Sequence, residues 1–239
     1  MSNKPRIHIL VAVSMAYVVL GAGHLFAATT KTWTGGSAPD MSWGTAGNWS
    51  DGTLPDFVNG DDIVFGLLTT NGSATVLGGD KAVNSLRFDG SHLDPAGQGF
   101  NYSINGNSLT LKSGSVTREY NQYSIVTINS DIVLGTNSIW NIGGWSSSFC
   151  DVIVNGAISD GGNGYGIEMS GRVLNLKGIN TYTGPTTCNA GYIYLNGTNA
   201  TSLITVNNGS TIWLNGPCPG VTNVTMNGGF VSILNTANI

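Results

Sequence analysis

Four short triplets recur at one spacing in the second half of the chain. Leu174-Asn175-Leu176, Ile193-Tyr194-Leu195, Ile212-Trp213-Leu214 and Val231-Ser232-Ile233 each begin 19 residues after the one before. The outer two residues of every triplet are aliphatic, so an extended backbone sends them to one face and the middle residue to the other. A strand this short cannot close a core alone; repeated at a fixed step, it buries its apolar face by stacking on its neighbours. A second set, Leu203 to Val206 and Val221 to Met226, falls between the triplets with a similar period. Two short strands and their turns per unit predict one rung of a solenoid. Leu174, Ile193, Ile212 and Val231 then form one inward stack, and Leu176, Leu195, Leu214 and Ile233 the next, with parallel pairing between rungs satisfying the backbone.

The rhythm continues less regularly upstream, through Ser108 to Leu111, Ile125 to Ile128, Asp131 to Leu134, Ile139 to Ile142, Asp151 to Val154 and Arg172 to Leu176. Asn-Gly pairs punctuate it at Asn105-Gly106, Asn155-Gly156, Asn196-Gly197, Asn208-Gly209, Asn215-Gly216 and Asn227-Gly228. Both residue types tolerate positive φ, as sharp corners require. Asn-Gly is also the leading hairpin signal, which makes an antiparallel meander or sandwich the structural rival. The constant step favours the solenoid, because a meander has no reason to hold one period. Past the first residues no segment sustains a helical period. The expected fold is all-β, a parallel β-helix with an aromatic-rich N-terminal cap.

The start of the chain reads differently. Lys4 and Arg6 precede the apolar run Ile7 to Leu20, and Ala27-Ala28-Thr29-Thr30 follow. Positive residues, a short apolar centre and a small-residue exit are the order of a secretory signal, and the run is shorter than the roughly 20 residues of a membrane span. The expected division is a signal peptide at 1–28, an aromatic-rich cap and first strands at 29–100, and the repeat solenoid at 101–239. Leu25 or Phe26 stands where a small residue is preferred, which leaves an uncleaved anchor as the alternative; no cysteine lies nearby for lipoprotein processing. His8 and His24 fall in this segment, so a mature chain keeps His92 alone. Of nine basic residues Lys4 and Arg6 are lost with it, leaving seven against thirteen acidic ones, spread without blocks. Nucleic acid is a poor partner for such a chain, since phosphate binding needs a basic face. Three cysteines, Cys150, Cys188 and Cys218, are an odd count for an oxidising space. They read as small buried hydrophobes, with a Cys188–Cys218 bridge as the alternative.

One stretch carries a resemblance. Gly178-Ile179-Asn180-Thr181-Tyr182-Thr183-Gly184-Pro185-Thr186-Thr187, then Asn189-Ala190-Gly191, resembles the autotransporter-associated β-strand repeat, with Pro185 where glycine is usual. Thr32-Trp33-Thr34-Gly35-Gly36, Trp43, Asn48-Trp49, Pro55 and Asp61-Asp62-Ile63-Val64-Phe65 are similar to the opening segment of many proteins of that family. The resemblance covers most of the mature chain. It implies a right-handed parallel β-helix acting as a stalk, passenger or adhesin segment, with Asn180 to Tyr182 at a corner and Thr186-Thr187 on the next strand. It brings no catalytic residue set and no cofactor. The family's full pattern ends in a translocator barrel, whereas this sequence reaches Ile239 within the repeats. A fragment, a truncated product or a partner-dependent secreted piece is therefore expected, extracellular or at the cell surface, with membrane attachment only through the signal peptide or a barrel outside this sequence. Its expected partners are surface glycans or other cell-surface proteins.

Residues with candidate chemistry are few. Trp33, Trp43 and Trp49, with Phe57 and Phe65 and the nearby Asp40, Asp51 and Asp56, have the makings of a sugar-stacking platform. The competing reading is a plug over the open end of the first rung, which terminal repeats need and large aromatics fill well. Asp160-Gly161-Gly162-Asn163-Gly164 suggests calcium, but Gly166 stands where the glycine-rich calcium repeat needs an aspartate, so a flexible turn and no metal are expected. Because some parallel β-helices cleave polysaccharides, Asp61 with Asp62, and Glu168 near Arg172, come into question as a lyase or hydrolase pair. Strand neighbours point to opposite faces, which separates Asp61 from Asp62. Glu168 and Arg172 read more simply as a surface ion pair, and a Ser/His/Asp arrangement would hang on His92. The expected protein is not an enzyme, and a carbohydrate-binding module is the alternative function.

Overall fold

A computed structural model describes residues 27–66, 73–89, 101–119, 124–144 and 151–234. In chain order the strands are β1 (Thr30–Trp33), β2 (Asp62–Phe65), β3 (Ser73–Val76), β4 (Lys81–Phe88), β5 (Tyr102–Asn105), β6 (Ser108–Arg118), β7 (Val126–Ile128), β8 (Asp131–Leu134), β9 (Ser138–Ile142) and β10 (Asp151–Val154). They continue as β11 (Ile158–Ser159), β12 (Ile167–Gly171), β13 (Val173–Leu176), β14 (Thr186–Cys188), β15 (Gly191–Leu195), β16 (Leu203–Asn207), β17 (Ser210–Leu214), β18 (Asn223–Asn227) and β19 (Phe230–Ile233). Two sheets result, and every pairing between these strands is parallel. The first runs β1-β2-β4-β6-β9-β12-β14-β16-β18, with β8 and β11 branching from β6; the second runs β3-β5-β7-β10-β13-β15-β17-β19.

The chain alternates between the sheets, so strand neighbours in space come from successive units. Tyr102, Val126, Val152, Leu174, Ile193, Ile212 and Val231 are aligned across the second sheet, at steps of 24, 26, 22, 19, 19 and 19 residues. The 19-residue period is thus the settled end of a longer, drifting one. The strands β8 and β11, which pair with the first half of β6 and with each other, do not account for the difference. Val126 to Ile132 and Val152 to Ile158 are steps of six residues, as are Leu174 to Asn180 and Ile193 to Asn199. The added residues lie between β6 and β7, between β9 and β10, and between β11 and β12. Later units place only the bridged pair Asn180 and Asn199 at the positions of β8 and β11. All-β architecture and parallel register agree with the expectation; the antiparallel meander is excluded for the paired strands.

Alternation decides the core. Leu174, Leu176, Ile193, Leu195, Ile212 and Leu214 are buried, as are Ile204, Val206, Met169 and Cys188 from the first sheet. At about 1.5–3 kcal/mol for each fully buried aliphatic side chain, this two-sided stack is the main stabilising term. Val231 is only partly buried and Ile233 exposed at the last strands.

Columns of identical residues link the units. Asn129 Nδ2 donates to Asn105 Oδ1 at 2.6 Å and Asn155 Nδ2 to Asn129 Oδ1 at 2.7 Å. Farther on, Asn215 donates to Asn196 and Asn196 to Asn175, both at 2.7 Å. On the first sheet Asn227 donates to Asn207 (2.9 Å), Asn207 to Asn189 (2.6 Å) and Asn189 to the Glu168 carboxylate (2.6 Å). Such ladders satisfy an amide donor and acceptor at each level of a parallel stack.

Glycine has two separate uses. Gly106, Gly209 and Gly228 adopt φ of 84°, 77° and 84°, the corner conformation expected of Asn-Gly. Gly156, Gly197 and Gly216 do not, which corrects that part of the expectation. There the constraint is space: a Cβ on Gly178, Gly197 or Gly216 would lie 2.1, 1.9 or 2.2 Å from the carbonyl oxygen of the glycine one unit earlier. Gly156, Gly178, Gly197 and Gly216 therefore form a column of touching backbones.

Candidate functional site

The residues that suggested sugar stacking lie inside the protein. Trp33, Trp43 and Trp49 are 0%, 0% and 2% exposed. Trp49 meets Trp33 and Trp43 edge-on at 5.1 and 5.7 Å between ring centroids, and Phe57 stacks on Trp43 at 6.0 Å. Phe65 continues the cluster to Phe88 at 4.8 Å. An indole with no exposed face has none to offer a sugar ring, so this arrangement corrects the platform reading of Trp33, Trp43 and Trp49 and favours the plug. The segment carrying them also occupies the outer edges of both sheets. Thr34 N donates to Asn48 O (2.8 Å) and Ser50 N to Thr32 O (2.9 Å) along β1, while Val76 N donates to Met41 O (3.0 Å) and Trp43 N to Val76 O (2.9 Å) along β3. Asn48, buried, donates to Asp40 O and Ser42 O and accepts from Ser37 N, which holds the two covering segments together.

The acidic candidates are each engaged locally. Asp61 accepts from Thr29 N, Thr29 Oγ1 and Asp56 N, whereas Asp62 accepts from Asn84 and Ser85. Among the described residues the two carboxylates share no partner, in line with their expected separation. Glu168 ends an asparagine column, its carboxylate accepting from Asn189. The turn after Asp160 is tied down rather than loose: Asp160 accepts from Gly162 N, Gly164 N, Thr183 N and Thr183 Oγ1 at 2.9–3.1 Å. Burial alone would raise its pKa, but these hydrogen bonds outweigh it and hold the carboxyl below the usual range. Among the described residues, no three histidine, cysteine, aspartate or glutamate side chains gather as a metal would need.

The repeat-like motif around Asn180 is a buried polar network. Asn180 accepts from Ile158 N at 3.0 Å and donates to Asn199 Oδ1 at 2.8 Å. Thr186 Oγ1 donates to Thr201 Oγ1 (3.0 Å) and Thr201 Oγ1 to Gly184 O (2.8 Å), so the Tyr182 hydroxyl, 2.6 Å from Thr186 Oγ1, is the donor there. Burial pushes the Tyr182 phenol far up. These groups consume one another's hydrogen bonds and are architectural. Cys188 and Cys218 are free and buried, and burial raises both thiols. Residues 1–26, with His8 and His24, as well as His92 and Cys150, lie outside the described residues.

Among the described residues, an outward group of aromatic side chains was not singled out from the sequence. On the outward face of the second sheet Tyr192, Thr211 and Phe230 are aligned on β15, β17 and β19, and Tyr194, Trp213 and Ser232 occupy the neighbouring column. Tyr194 and Trp213 stack at 5.8 Å with planes 13° apart. Tyr192 is 43% exposed and Phe230 69%. Their signal lay in the middle positions of the same triplets: two of those, Tyr194 and Trp213, are aromatic where a solvated strand face is ordinarily polar. Compared with protein families, curated proteins and solved structures, the chain matches none.

Proposed function

We propose that the two sheets close into a right-handed parallel β-helix and that the protein is a non-enzymatic, exported β-repeat protein, serving as an autotransporter-like passenger, stalk or adhesin segment. The observation that carries this reading is the parallel register held from Tyr102 to Val231 over one continuous core. A stack of this kind lengthens without changing its cross-section, which suits a stalk. Handedness follows from a general constraint: connections between parallel strands of one sheet are right-handed in about 98% of cases, because strands themselves twist that way. The local engagement of Asp61, Asp62, Asp160 and Glu168 supports a structural over a catalytic use of the carboxylates. Export is supported by the order of Lys4, Arg6, Ile7 to Leu20 and Ala27-Ala28. The test is to produce the full chain in a Gram-negative bacterium, fractionate the cells and sequence the N-terminus of the protein. The expected product lies outside the inner membrane and has lost its first 27 or 28 residues; a chain starting at Met1 and confined to the cytosol would overturn the reading.

A further inference from the structure

We propose that the outward face of the second sheet between β13 and β19 binds a neutral glycan, with one pyranose ring held over Thr211 between Tyr192 and Phe230. The inference goes beyond a structural role and rests neither on export nor on closure of the helix. Tyr192 and Phe230 sit two strands apart at aligned positions with Thr211 between them. At about 4.8 Å per strand their backbones are roughly 9.6 Å apart. Stacked rings keep centroids about 4.5–7 Å apart, so the interval admits one further ring, with an aromatic side chain on either side of it. A tyrosine, tryptophan or phenylalanine at position 211 would fill this interval; threonine leaves it open and puts a hydroxyl on its floor.

The surroundings select the kind of ring. The Tyr194–Trp213 stack forms one wall, and the amides of Asn175 and Asn196 and the hydroxyl of Ser232 flank it on the same face and at its rim. A pyranose has apolar C–H faces and a girdle of hydroxyls, and it matches a site that alternates aromatic surface with amide and hydroxyl groups. No outward residue of β15, β17 or β19 is charged (Tyr192, Tyr194, Thr211, Trp213, Phe230, Ser232). An anionic polymer or a phosphate-bearing ligand would find no counter-charge on these strands, so the ligand is an uncharged sugar chain. The face is open sheet, which lets a polymer pass across it while one ring enters the interval.

The test is native affinity electrophoresis of the full chain in gels containing laminarin, hydroxyethylcellulose, xylan or galactomannan, with heparin as the anionic comparison and N-acetyltryptophanamide as a planar aromatic probe by calorimetry. At least one neutral polysaccharide should retard the protein. Tyr192→Ser and Phe230→Ser should each weaken that binding at least tenfold, and Thr211→Tyr should do the same by filling the interval without removing a ring. Thr187→Ala, on the outward face of the first sheet, should change nothing. Thermal melts monitored by circular dichroism show which variants keep the fold, and Phe230→Ser, at a mostly exposed position, is the one that disturbs packing least. Retardation by none of the four neutral polysaccharides, retardation by heparin alone, binding of N-acetyltryptophanamide without any polysaccharide, or undiminished binding by folded Phe230→Ser and Thr211→Tyr would each overturn the proposal.

Discussion

Two alanine substitutions at the same dipeptide, Asn-Gly, should differ severalfold in cost. Gly197 has an ordinary φ, but a Cβ there would stand 1.9 Å from Gly178 O. Close C–H···O contacts between strands settle at about 3.3–3.6 Å, so the two backbones would have to part by roughly 1.4 Å. They are not free to do so, because Asn196 N and Gly197 N both donate to Leu176 O, at 2.9 and 3.1 Å. Losing those two bonds costs about 0.5–1.5 kcal/mol each, and overpacking strain adds about 1–3 kcal/mol. Gly197→Ala should therefore destabilise the protein by about 4 kcal/mol. Gly209 presents the opposite case: its φ is 77° and nothing lies within 4 Å of the place a Cβ would take. Only the left-handed conformation penalises alanine there, by about 1–2 kcal/mol. Urea unfolding followed by circular dichroism measures both. Equal costs, or a Gly197 variant more stable than the Gly209 variant, would refute the argument that the glycine column exists for backbone contact.

Three further outcomes follow from the packing and the charges. Leu195→Asp places a carboxylate between Leu176 and Leu214 without a partner and should expose several units together to hydrogen exchange, at a cost of several kcal/mol; Tyr194→Asp, on the outward face, should lose little beyond the stack on Trp213. Trp43→Ala should lower stability by about 3–5 kcal/mol, read as a fall in melting temperature, since the indole is wholly buried against Trp33, Trp49 and Phe57; a variant that melts like the parent would count against the plug. Asp160 has a folded-state pKa below its ordinary 3.8, through hydrogen bonds that outweigh burial. Its contribution is thus fully present above that value and is lost as the pH falls below it. Asp160→Asn should flatten this acid limb of the stability curve, and an unchanged limb in pH-dependent unfolding would show that the turn does not depend on the charge.

The regular part of the fold was legible because alternation and period report the same thing: Leu174, Ile193, Ile212 and Val231, aligned from spacing alone, are Cα partners in adjacent strands. The irregular part was not, since the residues that lengthen the early units lie between β6 and β7, between β9 and β10, and between β11 and β12, where no aliphatic alternation marks them. Asn-Gly misled at Gly197 and Gly216 because a dipeptide signals local backbone freedom, and contact with another unit is invisible in local sequence. The asparagines told the same story from the other side: Asn129, Asn155, Asn196 and Asn215 follow strand ends at corresponding places, a periodic polar signal that a search for aliphatic triplets passes over. For the candidate site, the density of aromatics near the N-terminus drew attention to Trp33, Trp43 and Trp49, yet burial decides what an aromatic can touch. Tyr192 and Phe230 lie at the flanks of the repeated triplets, where only the strand register shows that they face the same interval.

The covering of β1 by Asn48 to Ser50 and of β3 by Met41 to Trp43 gives the stack a foundation. With those backbone edges already occupied, another strand is barred from adding at that end, which guards against edge-to-edge aggregation there. Change in length is then free to happen elsewhere. Duplicating one 19-residue unit between β13 and β17 would raise the stack by about 4.8 Å and extend the aliphatic, asparagine and glycine columns by one member each. The same duplication would repeat the outward aromatic position, so reach and surface chemistry would grow together in a single recombination step.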